Sequence, residues 1–151
     1  MSCIYPSTLL IVMQTEKAEK AFKKNLNALD GIFDFTHAFL ASNHIDEKFR
    51  FPIDLAIEEL FTNMIKYNGE SRHDIILSLH RHGNRLIISM TDRDVEAFDI
   101  TQTGEVNTAK PLNDRQVGGL GLHLVKKMVD DIRYEYADRQ SRIILTKNLE
   151  N

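Results

Sequence analysis

The sequence predicts an α+β fold: a two-layer sandwich with helices on one face of a mostly antiparallel, mixed sheet. Three observations predict it. Two pairs of apolar, β-branched runs are each separated by a short polar turn, the pattern of a β-hairpin. Stretches with apolar residues at helical spacing precede the first pair. No strand leads at once into a Walker-type or dinucleotide-type glycine loop, so the parallel nucleotide folds lack support.

The elements follow in chain order. "TLLIVM" (8–13) reads as a strand; it is too short for a signal core or a membrane span, and no basic run precedes it. Residues 16–30, "EKAEKAFKKNLNALD", are charged, with apolar marks at Ala18, Ala21, Phe22, Leu26 and Leu29; they read as a helix, or as a loop and then a helix. "IFDFTHAFLASN" (32–43) is an amphipathic helix. Pro52 opens the next helix, where Ile53, Ile57, Leu60 and Met64 form one stripe and Asn68-Gly69 marks the end. "DIILSLH" and "RLIISMT" flank His82-Gly83-Asn84 as a hairpin. From Asp92 to Val117 the periodicity collapses into a loop long enough to suggest a functional lid. A glycine-rich helix start follows, and "IRYEYA" with "RIILTK" forms a closing hairpin. With no repeats and no Pro/Gly/Ser linker, one domain over 1–151 is expected.

Composition narrows the function. At 42% hydrophobic and 27% charged residues the chain reads as globular and soluble. A net charge of −3 argues against a nucleic-acid binder that works by bulk electrostatics. Cys3 is the single cysteine, so no intrachain disulfide forms and a reducing, cytoplasmic setting fits. No membrane association is expected. His73, His80, His82 and His123 lack metal-ligand spacing, so no zinc site is expected either.

Three stretches could carry chemistry. Glu59, Asn63 and Lys66 fall at i, i+4 and i+7 and share one helix face beside the apolar stripe. A carboxylate one turn before a carboxamide offers oxygen ligands to a hard cation; an ordinary solvated face has the same pattern. Asp92 ends an apolar strand, where a partly buried carboxylate could accept a hydrogen bond from an exocyclic amine, or simply start a turn. Gly118, Gly119 and Gly121, three of only seven glycines, stand at the mouth of a helix whose Leu122, Leu124, Val125 and Met128 follow at helical spacing. A glycine in a helix costs about 1 kcal/mol relative to alanine. Bare backbone there frees N–H groups, aided by the helix dipole, to meet an anion; close helix–sheet packing is the competing explanation.

Taken in order, "EELFTN", "TDRDVEAFD", a long loop and "GGLGLHLVKKMVD" resemble the GHKL family of ATP-binding domains, the Bergerat fold. Within it, the chain is most similar to the bacterial anti-sigma-factor serine kinases, over about Leu9 to Lys147. The resemblance implies Glu59 as general base, Asn63 as Mg²⁺ ligand and Lys66 near the phosphates. It implies Asp92 at the adenine amine and Gly118, Gly119 and Gly121 as the phosphate cradle, with residues 95–117 as the ATP lid. Nucleotide contacts then extend to Asp94, Phe98, Val117, Leu120 and Leu122. The cofactors implied are ATP and Mg²⁺. The partners implied are an anti-sigma antagonist with a phosphorylatable serine or threonine, a sigma factor and a second copy of the chain. Three features depart from the family pattern. Asp94 replaces the glycine of Asp-x-Gly, the region around Ser141 replaces an asparagine, and Tyr67-Asn68-Gly69 replaces a histidine-glycine ending. The first departure keeps a second reading open: a partner-binding module with altered or lost ATP binding. A detached ATPase module is a third reading, but no phosphoacceptor helix surrounds His37 or His44.

Overall fold

The computed structural model describes residues 15–67, 72–99, 101 and 119–150. Eight regular elements lie in this range: β1 Thr15–Phe22, α1 Leu29–Ser42, α2 Arg50–Tyr67, β2 Ile75–His82, β3 Arg85–Arg93, α3 Gly119–Met128, β4 Asp131–Ala137 and β5 Gln140–Asn148. The strands form one sheet in the order β1-β2-β3-β5-β4. Among the described strands every neighbouring pair is antiparallel, in keeping with the mostly antiparallel sheet expected. The strand read at 8–13 lies outside the described residues.

Period-two alternation decides which side chains meet the helices. One register row aligns Leu79, Ile88, Leu145 and Ile132 across four strands, and the next aligns Leu77, Met90, Ile143 and Tyr134. These rows share a single core with Ile32, Phe39 and Leu40 of α1, Ile53, Ile57, Leu60 and Met64 of α2, and Leu122 and Val125 of α3. The α2 stripe is thus the apolar face read from the sequence. Pro52 is its third residue, where the backbone N–H that proline lacks has no intrahelical partner to lose.

The reading of 16–30 as helical is corrected. Residues 15–22 form the edge strand β1, paired with β2 from Thr15↔His82 to Phe22↔Ile75. Ala18 and Phe22 are four apart, a spacing that suits a helix face and a strand face equally. Pairing with β2 settles it, because strand preference follows from neighbours more than from intrinsic tendency. The charges that suggested a solvated helix instead line an exposed sheet edge, where they discourage pairing with other chains. The helix begins only at Leu29, after a 3₁₀ turn at Leu26–Ala28.

The two hairpins differ in their turns. Gly83 takes φ +60° between β2 and β3. Between β4 and β5 two ordinary residues, Asp138 and Arg139, both adopt left-handed backbone, φ +52° and +60°, as a two-residue hairpin turn demands.

Candidate functional site

The helix face of α2 delivers the first part of the site. Glu59 and Asn63 are one turn apart, and the Asn63 amide donates to Glu59 Oε1 at 3.4 Å. Asn63 is buried, an unusual place for a carboxamide on a solvated face. Burial pushes the Glu59 carboxyl above its ordinary value of 4.5; the Asn63 hydrogen bond and Lys66 oppose the shift, and Glu58 adds to it. A carboxylate made more basic by burial is better suited to accept a proton.

Gly121 explains why α3 tolerates glycine. A Cβ built there would fall well inside contact distance of the Glu59 carboxyl carbon and both its oxygens. The space a side chain would take is the space the Glu59 carboxylate uses, so the glycine-rich helix start and the Glu59–Asn63 face form one constellation. Gly119 and Leu120 lie in the first turn of α3. Val117 and Gly118 lie outside the described residues, as does most of the lid read at 95–117.

Asp92 occupies the core-facing row of β3, two residues past Met90 and opposite Ser141. Its side chain is 0% exposed, and Lys24 Nζ bonds both carboxylate oxygens, at 2.8 and 2.7 Å. Lys24, itself only 6% exposed, sits just after β1. It had no signal in the sequence: its partner is 68 residues away, and local pattern carries no information at that range. Nearby, the Tyr134 hydroxyl lies 3.3 Å from Ser141 Oγ and accepts the Phe98 N–H at 3.1 Å. The Phe98 ring stacks on Tyr67 at the end of α2, centroids 5.0 Å apart, so Phe98 joins the first residues after β3 to the helix that carries Glu59. Lys66 is exposed, its ammonium 4.9 Å from the centre of the Tyr67 ring. The Leu122 side chain is 1% exposed in the core, which leaves only its backbone available to a ligand.

Asp94 takes φ +55°. The left-handed backbone that glycine usually supplies is therefore kept, and aspartate is among the few L-residues that adopt it readily. Its exposed carboxylate reaches the β4–β5 turn and pairs with Arg139 at 2.9 Å. The Val95 N–H bonds the Arg139 carbonyl at 3.0 Å, and the Tyr136 hydroxyl donates to the Val95 carbonyl at 2.8 Å. We expect Asp94→Gly to leave nucleotide affinity within about twofold, because the side chain it removes is turned toward that turn. Asp94→Val, β-branched in the left-handed region, should cost about 1–2 kcal/mol in urea denaturation. A large gain in affinity from Asp94→Gly would mean that the carboxylate blocks the nucleotide after all.

His37 and His44 make local packing contacts. His37 on α1 lies 2.8 Å from Asp54 on α2, tying the two helices together. His44 takes φ +54° where α1 ends, with its N–H on the Ala41 carbonyl and the Ile45 N–H on the Leu40 carbonyl.

Sheet, helices and the Glu59–Gly121 contact together have the form of the GHKL, or Bergerat-fold, class of ATP-binding domains, of the anti-sigma-factor kinase type. The model of the histidine kinase-like ATPase domain family matches residues 22–147, and the chain belongs to that family. Serine-protein kinase RsbW of Halalkalibacterium halodurans is 31% identical over 84 residues, 53% of this chain and 51% of that protein. RsbW of Listeria innocua is 26% identical over 101 residues, 63% of each chain. The chain thus spans between half and two thirds of the length of these two relatives. Serine/threonine-protein kinase BtrW of Bordetella bronchiseptica is 25% identical over 122 residues, 80% of this chain and 85% of that one. Two solved structures share the fold. The RsbU and RsbW domains of a Mycobacterium tuberculosis protein match at TM-score 0.63 and 17% identity, over 89% of this chain and 32% of that one. The SiaB–SiaC complex of Pseudomonas aeruginosa gives 0.60 and 13%, over 93% and 92%.

Proposed function

We propose that the chain is an ATP- and Mg²⁺-dependent serine/threonine protein kinase of the anti-sigma-factor type. It would phosphorylate an antagonist protein on serine or threonine, bind a sigma factor, and work in the cytoplasm as a homodimer. The observation that carries the reading is the half-buried Glu59 carboxylate lodged against Gly121 at the start of α3, with its pKa raised by burial. The kinase names of RsbW and BtrW support it. The SiaB–SiaC neighbour, a complex of that protein with a second one, agrees with a role in partner binding.

The residues fit the group they would hold. Gly121 makes room for the Glu59 carboxylate where any side chain would collide with it, beside a helix start whose N–H groups suit phosphate. Asn63 and Glu59 offer oxygen donors to Mg²⁺. Among the described residues no group of three or more His, Cys, Asp or Glu side chains is placed to hold a metal. Mg²⁺ on a bound triphosphate would neutralise charge that develops during transfer. Glu59 then takes the proton from the attacking hydroxyl, Asn63 orients it, and Lys66 adds positive charge one turn on. Among the described residues no helix is long and apolar enough to cross a membrane.

The test is a calorimetric titration with Mg-ATP, followed by incubation with Mg-ATP and a cell extract. Phosphoserine and phosphothreonine are then mapped on proteins that the chain retains. Micromolar binding and a phosphorylation that disappears with Glu59→Gln are expected; absence of either refutes the kinase reading. In Asn63→Ala, chelation of Mg²⁺ should no longer weaken ATP binding. If it still does, Asn63 is not the ligand. The enclosed Lys24–Asp92 pair favours a second reading, a partner-binding module with weakened nucleotide affinity; retention of a partner without Mg-ATP binding would select it.

A further inference from the structure

We propose that Lys24 is a built-in competitor for the base of the nucleotide. Its ammonium holds the carboxylate that would receive the adenine amine, so base binding proceeds by exchange of one donor for the other. The inference rests on the reading of Asp92 as the adenine-binding residue and adds a regulator to that site.

The geometry supports exchange over sharing. A carboxylate offers about four lone-pair directions, enough in principle for an ammonium and an amine together. Asp92, however, is 0% exposed, so an incoming amine must take a place that something already fills. Lys24 is the group able to leave: it stands in the short segment between β1 and the 3₁₀ turn, on a flexible four-carbon stem. Its ammonium contacts both oxygens within 0.1 Å of each other in length, 2.8 and 2.7 Å, so it covers the edge of the carboxylate that faces it.

The charges make the exchange consequential. Parting a buried ion pair forfeits its mutual attraction in a low-dielectric site. A neutral amine replaces an ammonium poorly in that respect. Withdrawal of Lys24 therefore opposes base binding, and apparent affinity falls by the share of molecules in which the pair is closed. The phosphates, gripped at α3 and Asn63, are outside this competition. The pair would thus make the base, and not the triphosphate, the weak part of the ligand.

The experiment titrates wild type and Lys24→Met with Mg-ATP and with magnesium tripolyphosphate, which has no base. We expect ATP affinity to rise at least tenfold in Lys24→Met and tripolyphosphate affinity to stay within twofold. Equal ATP affinity in the two proteins, or weaker binding by the variant, overturns the competitor role while leaving the ATP site standing. Failure of both proteins to bind either ligand overturns the ATP site itself. Because Lys24→Met removes a charge partner of a buried carboxylate and could fail to fold, a second measurement uses wild type alone. Lys24 acetylation by a soluble anhydride, followed by mass spectrometry, should be slow without nucleotide and rise at least fivefold with Mg-ATP. It should not rise with tripolyphosphate. Labelling that is unchanged or reduced by Mg-ATP overturns the exchange.

Discussion

Glu59→Gln is expected to lower phosphoryl transfer by about 10²–10⁴-fold, the usual share of a general base, with Mg-ATP affinity held within a few-fold. The amide keeps the size of the carboxylate and can still accept from Asn63, so positioning survives and proton acceptance does not. A second consequence follows from the raised pKa. The folded chain holds the Glu59 proton to higher pH than the unfolded chain does. The contribution of this group to stability is therefore fullest below the ordinary 4.5 and falls as pH rises toward the folded value, then stays flat. At neutral pH the ionised carboxylate is a mild liability. Glu59→Gln should raise the melting temperature slightly at neutral pH, and the gain should shrink as pH falls toward the ordinary carboxylate range. Rate as a function of pH should rise through the Glu59 pKa in wild type and lose that limb in the variant. Parallel loss of ATP affinity and activity would give Glu59 a structural role.

Gly121→Ala should be nearly as damaging to catalysis and almost silent in stability. The atoms a Cβ would meet are the far end of a flexible side chain, so the carboxylate can swing aside. Alanine also gains up to about 1 kcal/mol over glycine in a helix. The protein should fold with stability within about 1 kcal/mol of wild type while kcat falls at least tenfold, because the base is displaced. Gly121→Ala combined with Glu59→Gln should be no slower than Glu59→Gln alone, since both changes disable the same group. Multiplicative losses, or a loss confined to ATP affinity, would show that Gly121 serves the phosphates and not the base.

What could be read in the sequence depended on the range of the interactions involved. The α2 stripe, both hairpins and the helix after the glycines follow from spacing within a few residues, and each forms close to where it was expected. β1 did not announce itself, because its alternation is blurred by lysines and glutamates that only an edge position accounts for. Glu59 and Asn63 were legible as a shared face. Their contact with Gly121 required knowing that α2 and α3 pack together. Lys24 was beyond reach for the same reason. At Asp94 the sequence shows a departure from glycine but not its geometry: the backbone keeps the left-handed turn and the carboxylate pairs with Arg139.

The strand order also bears on how this architecture can diversify. β2–β3 and β4–β5 are local hairpins, while the β3–β5 seam joins them across the connection from Arg93 to Gly119 and helix α3. Closing a longer chain segment grows more unfavourable only logarithmically, by about 0.6 kcal/mol for each doubling of length. The connection that enters the glycine helix can therefore lengthen or shorten with little effect on the assembly of the sheet. Chain length beyond the residues tied to the β4–β5 turn weighs little on the pairing of the seam.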